Sequence, residues 1–481
     1  MSGQSGRLAS RGDLTLTHKD VTGSHRHMSL AFFLVWLVLI CYGLLMMFSA
    51  SYGVSFIQSS SEMRNQLGAD PSSPVRAVLE ADATAMARKQ LYLTLAGTLI
   101  AVLLGAFTSF RQLTRPAFRT LLYVFVTASL FYCMWKGMTI NGARRWIDLG
   151  FVSFQPSELA KIGAVFFLAG YFSQRQRKRR ANEAVKAGGG PGQSLFRQAF
   201  FDVTLPAILI AVWIVLTLIQ PHLSGALIIG LISVLIFILA DIPIKSRLTG
   251  LFQLVVLVLI FAFIAGAAFQ LITKQSSIEY VNDRFAHVFK RVGTFQDREA
   301  ASLDDRMQIE QAEIALGSGG LSGKGLGKSV QKLNWLSEAH NDFILPVIGE
   351  ELGFIGVAAI ILLFLSFLIF GILIARRAAS QMAMLVAAGN TILVAVQAFL
   401  NMAVSVSLVP TTGISLPFFS YGGTANLFFA LASGLVLCVS KSAVRQDPAL
   451  VGIVGKKKQL RGKKAASKDQ VDEEDRIGYA V

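Results

Sequence analysis

A chain of 481 residues that is 53% hydrophobic, only 15% charged and of mean hydropathy +0.55 excludes a soluble enzyme. Its apolar runs recur throughout, and each of about 20 residues is long enough to cross a bilayer core. The formal charge of +16 invites a nucleic-acid partner, but Lys and Arg cluster between the apolar runs, where the positive-inside rule puts cytoplasmic loops, so no nucleic acid is expected. Cys41, Cys133 and Cys438 all lie inside apolar segments, which argues against a disulfide framework or a thiol metal cluster. No cleavable signal peptide is expected, because the first apolar run follows about 28 polar residues, is long enough to span, and lacks a small-residue cleavage site.

Residues 1–28, with Arg7, Arg11, Lys19 and Arg26, predict a disordered cytoplasmic arm rather than a metal site at His25 and His27. A first span is expected from Leu30 to Ser49, then a polar loop to Lys89 and a second span to Phe107. Arg111, Arg115 and Arg119 mark a cytoplasmic turn before a third span, Leu121 to Trp135, which delivers NGARRWIDLGFVSFQPSELAK to the outer side. The fourth span, Ser157 to Tyr171, ends at QRQRKRR. With the following AGGGPGQS this run predicts a flexible basic loop over residues 174–198 that fixes topology and touches anionic lipid. Spans five and six, Val203 to Leu218 and Ala226 to Leu239, meet at an outer QPHLSG. After a turn carrying Lys245 and Arg247, span seven, Leu251 to Ile272, opens a large outer loop over residues 273–341. Span eight, Phe343 to Ile374, ends at Arg376 and Arg377. Span nine, Ala383 to Val406, precedes the outer LVPTTGISLPFFSYGGTAN, and span ten runs from Leu427 to Val439 before a basic tail, residues 443–481. The expected fold class is an all-α polytopic membrane protein: ten transmembrane helices forming one domain, residues 29–442, with both termini inside.

The polar motifs converge on the outer face. Arg144-Arg145-Trp146 offers a planar fork for phosphate oxygens beside an interfacial aromatic. Glu158 and Lys161 are three apart, so they share a helix face and pair, either as a structural ion pair or as part of a site. In the glycine-rich GSGGLSGKGLGKS, Gly327-Lys328-Ser329 imitates the end of a Walker motif. The required first glycine falls at Ser322 and no strand precedes it, which excludes nucleotide. A loop whose backbone approaches a sugar or headgroup is expected there, against a merely flexible connection. The stretch Pro410 to Gly423 should line or roof a pocket, since non-helical backbone at membrane depth needs protein or water around it. His222 in QPHLSG is either a titrating or metal-binding group or a hydrogen-bonding group in packing. In KLNWLSEAHNDFILPVIGEELGFIG, Asp342 stands at the mouth of a long apolar helix, where a base acting on a lipid-linked substrate belongs. Asn341 and Asp342 suit helix capping equally well. Glu350 and Glu351, about 12 Å further along, should face the protein interior or a wet cavity.

Four fragments, NGARRWIDLG with FQPSELAKI, GSGGLSGKGLG, LSEAHNDFILPVIGEELGFIG and TTGISLPFFSYGGTANL, together resemble the SEDS family (shape, elongation, division and sporulation) of bacterial membrane proteins over residues 30–442. The last two look closer to its division branch, FtsW, than to its elongation branch, RodA. The resemblance implies a peptidoglycan glycosyltransferase polymerising lipid II at the outer face of the cytoplasmic membrane, at the division septum. It implies Asp342 as catalytic base, and Arg145 as the cation for the departing undecaprenyl pyrophosphate. Glu158, Lys161, Lys332, His340 and Ser420 complete the implied substrate- and pyrophosphate-binding set. A divalent cation, Mg or Mn, is compatible with the task, with Asp342 its candidate ligand. The implied partners are a class B penicillin-binding protein (an FtsI-like transpeptidase) and other division proteins. His222 departs from the family's QPD.G, which keeps a silent scaffold in view beside the rival reading of a lipid II flippase.

Overall fold

The computed structural model describes residues 28–67, 81–140, 143–150, 152–187, 194–273, 303–333, 335–336, 338–410 and 413–441. The expected arm before Met28 and the basic tail lie outside the described residues, as do residues 274–302 of the large outer loop. Helices come in the order α1 (Leu30–Leu67), α2 (Ala85–Phe107), α3 (Phe110–Leu113) and α4 (Pro116–Lys136). A small antiparallel sheet follows, β1 (Met138–Ile140), β2 (Ala143–Asp148) and β3 (Ser153–Phe154), with β2 in the middle. Then come α5 (Pro156–Ala187), α6 (Leu195–Ala199), a single π-turn over Phe200–Thr204, α7 (Leu205–Ile219), α8 (Leu223–Leu239) and α9 (Ile244–Thr273). The chain closes with α10 (Leu303–Ser318), α11 (Ile344–Arg376), α12 (Gln381–Ser405) and α13 (Thr424–Ser440).

Among the described residues, seven helical segments are long and apolar enough to cross a membrane, and α8 and α13 are shorter apolar helices. The tenth crossing is α5, whose first half is almost wholly buried although its second half is strongly basic. The ten-span reading therefore stands among the described residues. The most hydrophobic 18 residues of α12 are 72% buried, against 11% for α9, so α12 is the axis of the bundle and α9 its periphery. Small residues let the central helices approach closely, since without a hydrophobic drive between helices contact area decides packing. Gly389 of α12 sits where a Cβ would come within 2.6 Å of Val165 on α5, and Gly434 of α13 lies against the backbone of Ala101 on α2. α9 is held near its N-terminal end, where Thr204 donates to the Gly250 carbonyl and to Gln253 Oε1 at 3.2 and 2.7 Å.

Several expectations need correction. The stretch after Ser49 is not a plain polar loop: α1 has 38 residues, about 57 Å at 1.5 Å per residue, and continues to Leu67, several turns beyond a core about 30 Å thick. Residues 174–187 are not a flexible loop but the continuation of α5. Asp202, fully buried in the π-turn, takes Arg175 Nε at 2.8 Å and Arg179 Nη1 at 3.0 Å, and Arg179 also donates to the Asp241 carbonyl. A buried carboxylate needs cationic partners, and their spacing of four holds that stretch helical. The long outer loop contains α10, and the outer arginine motif is a strand, β2, rather than a plain loop.

The eighth span is also broken. Gly353, at φ 66° and ψ −164°, divides α11 into a short outer piece and a long membrane piece. Backbone groups freed by such a break must be satisfied from within the protein. The glycine-rich loop does this: Phe354 N donates to the Gly320 carbonyl (2.9 Å), and Lys324 N and Gly325 N donate to the Glu350 and Glu351 carbonyls (both 2.9 Å). Gly323, at φ +75°, lies so close that a Cβ would overlap the Glu351 carbonyl. The glycines thus let backbone approach the broken helix, not a sugar or headgroup.

Candidate active site

A cavity of about 490 Å³ opens where the start of α5, strand β2, the α7–α8 corner, the outer part of α12 and the loops before α11 and α13 meet. Its floor is the Glu158–Lys161 pair, 2.6 Å apart and buried on the first turns of α5. An acidic residue in a first helical turn faces the positive end of the helix dipole. Lys161 Nζ also donates to Gln397 Oε1 of α12 at 2.9 Å, which ties the two central helices together at the base of the cavity.

Strand β2 supplies the first wall. Alternation along the strand separates its two arginines. Arg144 is exposed and donates to Thr139 Oγ1 and the Trp135 carbonyl at 3.4 and 3.3 Å, whereas Arg145 lines the cavity and donates to the Pro221 carbonyl. Beside it, His222 stands at the residue before α8 without a side-chain cap, its Nδ1 instead 3.0 Å from Ser157 Oγ. Burial, and then the nearby Arg145 and Lys161 charges, push the His222 imidazole down to about 3, so it is neutral at physiological pH.

Asp342 stands on the remaining wall, facing Gly413. Its backbone is fixed from three directions. Asn401 Nδ2, buried on α12, donates to the Asp342 and Ile414 carbonyls at 2.8 and 2.7 Å. Ser420 Oγ donates to the Asn341 carbonyl at 2.7 Å, and Tyr421 N donates to the His340 carbonyl at 2.8 Å. The capping alternative fails: the residue before α11 is Phe343, which makes no side-chain cap, and Asn341 Nδ2 turns back to Glu338 Oε2 at 2.5 Å. Asp342 lines the same cavity as Arg145 and Lys161.

Of the residues expected at the site, Asp342, Arg145, Glu158 and Lys161 line one cavity, and so does His222. Three do not. Lys332 is buried elsewhere, its Nζ 2.6 Å from Glu351 Oε1 and 2.9 Å from Ser49 Oγ, because the broken α11 turns a buried carboxylate toward it. Ser420 is fully buried behind the cavity wall, where it accepts from Leu416 N at 2.7 Å and latches two loops together. His340 packs tilted against Tyr421 with ring centres 5.9 Å apart, and burial pushes its imidazole down despite the opposing Glu338 charge. Tyr421, in the stretch expected to line a pocket, does so, whereas no motif singled out Gln397, Asn401 or Ser157. Gln397 and Asn401 did carry a signal, being two amides four apart on one face of a mostly apolar helix.

Residues 71–445 match the model of the cell cycle protein family of FtsW, RodA and SpoVE. The chain is 34% identical over 324 residues to a probable peptidoglycan glycosyltransferase FtsW of Thioalkalivibrio sulfidiphilus, covering 66% of this chain and 71% of the relative. It is 35% identical over 305 residues to a protein of the same description from Geobacter sp. (strain M18), covering 63% and 73%. Among solved structures, a chain of a peptidoglycan synthase complex that coordinates polymerization and crosslinking shares the fold at TM-score 0.57 and 23% identity, covering 87% of this chain and 99% of that one. The rod shape determining protein RodA of Thermus thermophilus does so at 0.54 and 24%, covering 87% and 98%. The helix order, the ten crossings and the family match over most of the chain agree: this multi-pass membrane protein belongs to the FtsW, RodA and SpoVE family of cell cycle proteins, the SEDS family.

Proposed function

We propose that the chain is a peptidoglycan glycosyltransferase that polymerises lipid II at the outer face of the cytoplasmic membrane, for septal wall synthesis. The observation that carries the reading is one outer cavity lined by both the Arg145 and Lys161 cations and the Asp342 carboxylate. Asp342 accepts the proton of the acceptor sugar hydroxyl as that oxygen attacks the anomeric carbon of the donor. The bond from that carbon to the undecaprenyl pyrophosphate breaks, and Arg145, with Lys161 behind it, stabilises the departing charge. Attack from the opposite face converts the α-linked lipid to a β-linked polymer. Neutral His222 contributes a hydrogen-bonding partner for Ser157 rather than charge, so the negative charge of the site rests on Glu158, Glu338 and Asp342.

A divalent cation fits the donor set to a limited degree. Among the described residues no group of three His, Cys, Asp or Glu comes together. The buried Asn341 Oδ1, which has no hydrogen-bond partner, sits beside Asp342 on the cavity wall. Those two oxygens would hold Mg or Mn together with substrate phosphates, the ligand mix that Mg favours. Such an ion supplies neutralisation of the pyrophosphate charge.

The expected partner is a class B penicillin-binding protein that cross-links the strands, alongside other division proteins, with both termini of the chain in the cytoplasm. A flippase would need polar groups leading to the cytoplasmic side. Below the Glu158–Lys161 pair the centre is instead closed by buried Val165, Phe166, Leu168, Ile236 and Val394. Reconstitution in vesicles separates the two: a polymerase converts outer-leaflet lipid II to glycan strands, whereas strand-free movement of intact lipid II between leaflets would overturn the proposal.

A further inference from the structure

A second cavity, of about 240 Å³, lies behind Tyr421. One wall is the part of α1 beyond the membrane, with Ser55, Gln58, Ser59 and Glu62, and the other is the start of α2, with Ala85, Met86 and Lys89. Tyr421 is the residue common to this groove and the central cavity. The groove is built in advance: Ser55 and Ser59 hydroxyls donate to the Asp82 carbonyl at 3.0 and 3.2 Å, and Met86 N donates to Ser55 Oγ at 3.3 Å. These bonds pin the projecting end of α1 to α2. Tyr421 is fixed through its backbone bond to His340.

We propose that this groove is a saccharide subsite, binding an N-acetylhexosamine unit of the glycan next to the reacting sugar. The inference rests on the polymerase reading above. Polymerisation needs two sugar-bearing substrates at once, and a cavity of about 490 Å³ is within the size range of a single ligand's pocket. The charges divide the work. The central cavity holds the buried ion pair and Arg145 that suit a pyrophosphate. The groove instead offers hydroxyl, amide and ionic groups at its rim, which bond the hydroxyls and acetamide of a sugar, and an aromatic ring with an apolar face and a polar tip at the junction. The occupant is either the emerging strand or the second lipid II molecule, which share this chemistry.

The test uses the full chain with its partner transpeptidase, penicillin to silence cross-linking, and labelled lipid II. Gln58→Trp fills the groove and Lys89→Glu reverses its charge, both at exposed positions. If the emerging strand occupies the groove, the first coupling of two lipid II molecules keeps its rate while chain length falls several-fold. If the second lipid II occupies it, KM for the first coupling rises roughly tenfold at unchanged kcat. Variants equal to wild type in both readouts overturn the subsite. A wild type that makes no polymer instead refutes the polymerase reading. Binding of a labelled, uncross-linked glycan fragment then decides the groove on its own: weakened binding in both variants supports it, and equal binding or none rejects it.

Discussion

Glu351→Gln should unlatch the glycine-rich loop without dissolving the bundle. The Glu351 carboxylate is fully buried and accepts Ser49 Oγ at 2.7 and 2.8 Å, Lys332 Nζ at 2.6 Å and Ser329 N at 3.4 Å. A glutamine of the same shape keeps the hydroxyl bond but leaves the Lys332 ammonium, itself buried, without a counter-charge. Removing one partner of a buried ion pair costs about 3–5 kcal/mol. The pair joins only α1, α11 and residues 319–333, so that cost should appear as local opening rather than global unfolding. Amide hydrogen exchange in residues 319–333 should accelerate roughly 10²- to 10⁴-fold, while α12 and α13 stay protected. Adding Lys332→Met removes the stranded charge, and the double variant should recover most of the protection. Unchanged exchange in Glu351→Gln, or a double variant that is simply the sum of the singles, would refute the reasoning.

Other consequences follow from the same geometry. Gly323→Ala should be far more damaging than Gly320→Ala in thermal unfolding. Both glycines have positive φ, costing about 1–2 kcal/mol for alanine, but only the Cβ at 323 collides with the Glu351 backbone. His222 has a folded-state pKa lowered to about 3 against an ordinary 6.5, so the unfolded chain takes up the proton first as pH falls. Stability is full above pH 6.5 and declines toward pH 3. At pH 5 the loss is about 2 kcal/mol, and His222→Gln should flatten that part of the unfolding profile; an unchanged profile would show the imidazole is not buried neutral.

The span count, and the residue types that meet in one cavity at Arg145, Glu158, Lys161 and Asp342, were legible because each depends on local pattern. Apolar length marks a span, and charge inside an apolar run marks a site, as at Glu158 and Lys161. Lys332 and Ser420 were misplaced because a polar side chain in a loop reads the same whether it meets substrate or a buried partner. Which of these it meets depends on the break at Gly353 and on the latch between the loops before α11 and α13, both long-range facts. The helical continuation through Arg175 and Arg179 was hidden for a similar reason, since its anchor, Asp202, is more than twenty residues away and reached only through the fold. Tyr421 was visible as an aromatic in an outer loop, but its position between two cavities was not.

The central claim is that Asp342 performs glycosyl transfer in a cavity whose cations receive the pyrophosphate. The most direct measurement is polymerisation of labelled lipid II by the purified protein with its cognate transpeptidase, in penicillin, beside Asp342→Asn. The amide preserves shape and the Asn401 bond to the backbone carbonyl, but it cannot take the proton. Long glycan strands from wild type, with at least a roughly hundredfold lower rate in the folded, partner-bound variant, are predicted. Equal polymer from both proteins would contradict the account and remove Asp342 as the base.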